Sequence, residues 1–230
     1  MDGARMTTRK IKAKVLALLR AEADPAEFEG LERTGLINGL LAALNRPEEE
    51  VRHRAGEVLG LAVAGLAGDD LEAARNIMRR LAWSLNDESG AVGWGAAEGM
   101  AEIMVRVPDL AREFSAVLVF QLREDPGAPE FPPLVKSCLR AVGRIAGADK
   151  NSAAGAAQHL PRFLRSPDPE IRGLAARTAG RTGAGELKAE LARLFEDPDL
   201  IEIRIEGRMR KMRVEEVARI AYERLAAEEA

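Results

Sequence analysis

One cysteine, Cys138, two histidines, His53 and His159, and one tyrosine, Tyr222, occur in 230 residues. A single thiol excludes an intramolecular disulfide and any multi-cysteine zinc site, and it fits a reducing cytoplasm. Neither histidine belongs to a His-Glu-x-x-His pattern, so no metal is expected. Aromatic residues make up only 4%. The core must therefore come from Ala, Leu, Val, Ile and Met, which favours packed helices over a β-sandwich. No apolar run is long enough to cross a bilayer; the longest lies at 59–67. The start, MDGARMTTRKIKAK, has charges but no apolar stretch before a cleavage site, so no signal peptide is expected.

Catalytic motifs are equally scarce. Gly90–Gly95 (GAVGWG) is glycine-rich, but no strand precedes it and no Lys-Ser/Thr follows, so it is no phosphate cradle. Asp87 and Glu88 are adjacent and cannot converge as an acid/base pair by themselves. Cys138 falls among apolar positions and reads as a buried thiol rather than a nucleophile. No enzyme activity and no cofactor is expected.

What the chain does have is 47% hydrophobic and 31% charged residues, the make-up of a folded domain. Its net charge of −3 is unevenly spread. Residues 21–130 hold ten Arg against 21 acids, whereas residues 131–182 hold nine Lys/Arg against three acids. A chain so divided weakens a general nucleic-acid reading.

One pattern repeats: a leucine, a β-branched residue seven on, and a small residue four further. It reads Leu44, Val51, Ala55, then Leu85, Val92, Ala96, then Leu164, Ile171, Ala175. A fourth copy, Leu122, Leu134, Cys138, fits with five residues inserted at 127–131. Five positions after the small residue comes another: Gly60, Ala101, Gly143, Gly180. The leading leucines, ending at Leu194, are 41, 37, 42 and 30 residues apart. A period near 40 with two amphipathic helices per unit is the signature of a HEAT-type α-solenoid.

The turns carry a family resemblance. SPDPEIRGLAARTAG (166–180) and RPEEEVRHRAGEVLG (46–60) resemble the short bacterial HEAT-like repeat also found in phycocyanobilin lyases. NIMRRLAWSLNDESGAVGWGAAEGMAEI (76–103) resembles a subfamily of HEAT-repeat proteins from sulfate- and metal-reducing bacteria, a likeness that names no chemistry. The implied fold is all-α: a right-handed α-α superhelix of about five helix pairs, forming a single domain over 1–230.

The spacing predicts a capping helix at 8–22. Pairs of A and B helices follow at 30–44 with 48–65, 70–85 with 91–106, 109–122 with 132–147, and 151–164 with 168–182. A last pair comprises 186–195 and 214–227. Ile201, Ile203 and Ile205 alternate with charged residues before Glu206-Gly207, which predicts a β-hairpin over 200–214. An elongated monomer is expected, exceeding the radius of gyration of about 17 Å for a compact domain of this length.

The helical repeat places the positions two before, two after and six after the small core residue of each B helix on the face opposite the core. The first row is His53, Trp94, Lys136, Gly173, Arg219. The second is Glu57, Glu98, Arg140, Arg177, Glu223, and the third is Leu61, Glu102, Arg144, Arg181, Ala227. The resemblance implies that B helices line the concave side. These rows read either as a self-paired ladder, Glu98 and Glu102 facing Arg140 and Arg144, or as a binding groove. In the second reading an acidic protein partner binds Trp94, Glu98, Lys136, Arg140, Arg144, Arg177 and Arg181.

Residues 81–100 depart from the repeat. Gly93, Gly95 and Gly99 fall inside a predicted helix at about 1 kcal/mol each. Trp83, Asn86, Asp87, Glu88 and Ser89 cluster beside them. Either the glycines admit a bulky tryptophan from the next layer, with Asp87 or Ser89 as a cap, or the stretch is a ligand or partner site. The chain thus reads as a non-enzymatic interaction scaffold or adaptor without a membrane segment. The alternatives are a lyase-like maturation chaperone for a cofactor protein and, further off, a DNA-binding HEAT-like protein.

Overall fold

The computed structural model describes residues 6–85, 94–124, 131–205 and 207–228. The chain divides into two compact units, Met1–Leu110 and Ala111–Ala230. The first contains α1 (Thr8–Arg20), α2 (Arg33–Ala43), α3 (Glu49–Asp69), α4 (Leu71–Leu85) and α5 (Ala96–Arg106). Helix α6 (Pro108–Phe120) spans the division. The second contains α7 (Pro132–Ala148), α8 (Leu160–Leu164), α9 (Pro169–Thr182), α10 (Lys188–Ala192), the strands β1 (Leu200–Ile205) and β2 (Arg208–Arg213), and α11 (Val214–Ala227). After α1, the described helices come in chain order where the five pairs are expected; α2 lies against α3, α4 against α5, α8 against α9 and α10 against α11.

The small-residue repeat explains the packing. Ala55, Ala96, Cys138, Ala175 and Ala221 are all buried, on α3, α5, α7, α9 and α11. In the first unit α3 lies against α5; in the second, α7, α9 and α11 lie side by side. A Cβ at Gly60 would sit 2.6 Å from the Glu102 carbonyl oxygen. One at Gly143 would sit 2.7 Å from Thr178 Oγ1, and one at Gly180 2.7 Å from Ala221 Cα. A side chain at these points would force neighbouring B helices apart.

The turns between paired helices are tied by an arginine that the sequence repeats. Arg52 Nη1 donates to the Arg46 and Pro47 carbonyls, both at 2.7 Å. Arg172 Nη1 donates to the Ser166 and Pro167 carbonyls at 2.8 and 3.1 Å. Each arginine directly follows the β-branched position, Val51 or Ile171, and reaches back to give the turn carbonyls a donor. Asp168 caps α9, accepting from the Glu170 and Ile171 amides.

The hairpin forms as expected, with Leu200 opposite Arg213 and Ile205 opposite Arg208. Gly207 closes it at φ 77°. Ile201 and Ile203 are buried, while Leu200 and Glu202 face outward.

Three expectations change. The helix expected over 91–106 begins at Ala96, with Gly95 as its cap; residues 91–93 lie outside the described residues. The bare backbone there receives Leu44 of the preceding repeat rather than a tryptophan. Gly95 donates its amide to the Leu44 carbonyl at 3.0 Å, and a Cβ at Gly99 would lie 2.9 Å from Leu44 Cδ1. The helix expected over 151–164 is instead two 3-10 turns, Lys150–Ala153 and Ala157–His159, leading into the five-residue α8. Gly155 at φ 78° turns the chain left-handed between them, which ends any continuous α-helix. Two outward-row positions are buried. Glu102 folds back onto Arg106 of its own helix, and Gly173 lies under Ile201, whose Cδ1 fills the space where a side chain would begin.

Candidate functional site

The cations of the second unit gather on one face of α7 and α9. Close packing at Gly143 lets α9 lie near α7, and Thr178 Oγ1 donates to the Leu139 carbonyl at 3.0 Å across that contact. Arg181 lays its stem beside Gly147 and donates from Nη1 to the Gly143 carbonyl at 3.0 Å. Arg177, one turn earlier, is half-buried in the same layer.

Counter-charge gathers at one end of this face. Glu170 accepts from Lys136 Nζ at 2.7 Å and from Arg140 Nη2 at 2.8 Å. Asp168 Oδ2 lies 2.9 Å from Lys136 Nζ. Burial works against the Lys136 charge, but its bonds to Glu170 and Asp168 outweigh it and hold the ammonium above its ordinary value. Asp168 is the mirror case: burial opposes its charge, and Lys136 with the Ile171 and Glu170 amides overrides this and keeps the carboxyl below its ordinary value.

The other end is dominated by cations. Among the described residues, no carboxylate or carbonyl accepts a hydrogen bond from the Arg177 guanidinium. Burial, then Arg181 and Arg140, pull its pKa down to about 10. Burial, Arg224 and Arg144 likewise lower Arg181. Both remain charged near neutrality, so the depression measures the cost of holding positive charge in a crowded, partly dry layer. The chemistry of such a face is to bind anions.

Sequence reasoning placed Lys136, Arg140, Arg144, Arg177 and Arg181 together, and they share this face. Trp94 and Glu98 belong to the first unit, both half-buried. The Arg52 guanidinium lies 5.4 Å from the centroid of the Trp94 ring. His53 Nε2 lies 3.4 Å from Glu57 Oε1 in that unit, and Cys138 is buried in the second. Asn86, Asp87, Glu88 and Ser89 lie outside the described residues. Trp83 is 77% exposed at the edge of a cavity of about 800 Å³ in the first unit, whose polar lining includes Lys12, Asn38, Asn45, Asn76 and Arg80. No group of three or more His, Cys, Asp or Glu among the described residues could hold a metal ion, and no described helix is long and apolar enough to cross a membrane.

Two features escaped the sequence. Asp168 and Glu170 neutralise Lys136 and Arg140; they occupy the turn motif SPDPE, where they read only as helix-start residues. Arg52 and Arg172 share the position after Val51 and Ile171, but that repeat does not say that the side chain reaches back to the turn carbonyls.

No family model matches this chain. Over 75 residues it is 44% identical to an uncharacterised protein of Archaeoglobus fulgidus, a match covering 33% of this chain; the chain thus spans 38% of the length of that relative. Solved helical-repeat structures match almost throughout. An engineered protein superposes with a TM-score of 0.61 at 19% identity, covering 98% of this chain and 94% of that one. Computationally designed armadillo repeat proteins for modular peptide recognition give 0.55 at 19% identity, over 95% and 94%. A designed armadillo repeat protein in complex with the peptide (KR)4 gives 0.54 at 19% identity, over 95% and 91%. The fold is therefore that of an α-helical repeat protein.

Proposed function

We propose that this chain is a non-enzymatic protein-interaction scaffold whose second unit binds an acidic segment of a partner across α7 and α9. The observation that carries this reading is the half-buried Arg177, held beside Arg140 and Arg181 with no counter-ion of its own among the described residues. A cluster of like charges costs stability, and an anionic ligand would remove that cost. The designed neighbours recognise peptides, one of them the basic (KR)4. The face here carries the same sign as that peptide, so its complement is acidic. Two helices per repeat, rather than three, favour the HEAT type for these repeats.

The test uses a fluorescent poly-glutamate peptide with poly-lysine as control. Wild type should bind poly-glutamate in a salt-dependent manner and ignore poly-lysine. The double variant Arg140→Glu with Arg177→Glu, confirmed as helical by circular dichroism, should lose that binding. Undiminished binding by the double variant would dispose of this face as the site. Equal or tighter retention of duplex DNA would favour a phosphodiester ligand instead.

A further inference from the structure

We infer that the Arg177 end of this face is built for a doubly charged oxyanion, a phosphoryl group carried on the partner segment, and not for carboxylates alone. The inference rests on the acidic-partner reading above and names the group that fills its centre.

Three observations converge. The two ends of the face differ in how they are neutralised. At one end, Glu170 and Asp168 already serve Lys136 and Arg140. At the other, Arg181 spends one N–H on the Gly143 carbonyl, and Arg177 spends none on any described residue. Two guanidiniums at that end carry two positive charges; one phosphoryl group supplies close to two negative charges, where a single carboxylate supplies one.

The residue type is the second observation. Lys136 and Arg140 sit at the neutralised end, while both groups of the open end, Arg177 and Arg181, are guanidiniums. A guanidinium presents planar, paired N–H donors that match two oxygens of a phosphoryl group; an ammonium acts as a point charge. The third is preorganisation. Thr178 is anchored to the Leu139 carbonyl, and Arg181 is held to Gly143 on the adjacent helix, so the backbone bearing Arg177 is fixed before any ligand arrives. With the backbone and Arg181 already held, only the Arg177 side chain has to be ordered on binding.

The experiment compares three fluorescein-labelled peptides of one acidic sequence, with serine, phosphoserine or glutamate at the centre. Each is titrated into wild type, Arg177→Gln and Arg177→Lys, all checked by circular dichroism, with inorganic phosphate as competitor. The expected result is tighter binding of the phosphoserine peptide than of the glutamate peptide, by tenfold or more. Arg177→Gln should weaken both peptides but the phosphoserine peptide far more, bringing the ratio close to one, and Arg177→Lys should keep only part of it. Millimolar inorganic phosphate should compete with the phosphoserine peptide more than with the glutamate peptide. Equal affinity for the two peptides would overturn the phosphoryl inference and leave the acidic-partner reading standing. No binding of any peptide would overturn both, as would thermal stabilisation by inorganic phosphate without peptide binding. Loss of fold in Arg177→Gln would shift the decision to Arg177→Lys, whose full retention of the ratio would also overturn the inference.

Discussion

Arg177 and Asp168 show opposite ways of placing a charge in a partly dry layer. The folded protein disfavours the Arg177 cation, so that charge costs stability at every pH below about 10 and the cost is relieved only above it. Arg177→Met keeps most of the stem and removes the charge. It should stabilise the chain by about 1 kcal/mol after allowance for solvent screening, raising the thermal midpoint by about 2–4 °C. An unchanged or lower midpoint in a calorimetric scan would show that the charge is comfortably solvated. Asp168 is held below its ordinary carboxyl value, so its contribution is present above the unfolded pKa and is lost as pH falls through the folded one. Asp168→Asn keeps the cap on α9 but gives up the ion pair with Lys136. Urea melts at pH 7 should show a deficit of about 1 kcal/mol that shrinks as the pH is taken below about 4. A deficit independent of pH would assign it to altered capping.

At the scale of the element, the B helices are distinguished by what they cannot accommodate. Ala175 is fully buried on α9, which lies between α7 and α11, while Arg177 is two residues away on the opposite face. Ala175→Leu should cost about 1–3 kcal/mol by overpacking a layer that has no slack, whereas Arg177→Ala should cost under about 1 kcal/mol. Denaturant melts in the reverse order would mean that the helix is rotated from the face described. The hairpin follows the same logic of close approach. Its isoleucine edge seats on α9 because residue 173 has no side chain, and Ile201 takes that space.

For the molecule as a whole, the arginine face runs against the net charge. A chain with an isoelectric point near 5.7 and a charge of −3 should be repelled by a phosphate-bearing resin at pH 7. Local clustering predicts otherwise. Wild type should be retained on phosphocellulose at low salt, and Arg140→Glu with Arg177→Glu should elute at markedly lower salt. Co-elution of the two proteins would show that this face does not govern the long-range field.

The sequence by itself determined the helix pairs, the inserted hairpin and the buried small residues, because each is a local or periodic property. A helical apolar stripe, a proline at a helix start, and alternation around Glu206-Gly207 act within a few residues. It also placed five cations on one face, since the repeat period aligns equivalent helix positions. It missed the break at Gly155, where one left-handed glycine outweighs an otherwise helical composition, and the seating of Leu44 against Gly95 and Gly99, which joins residues far apart in the chain. The balance of charge lay equally outside its reach. Which arginines are neutralised depends on where Asp168 and Glu170 arrive, and among the described residues Arg177 is left without a partner because burial and pairing are set across helices. Periodicity fixes the face a residue occupies; the neighbours it meets there are fixed only by the packing of one helix on the next.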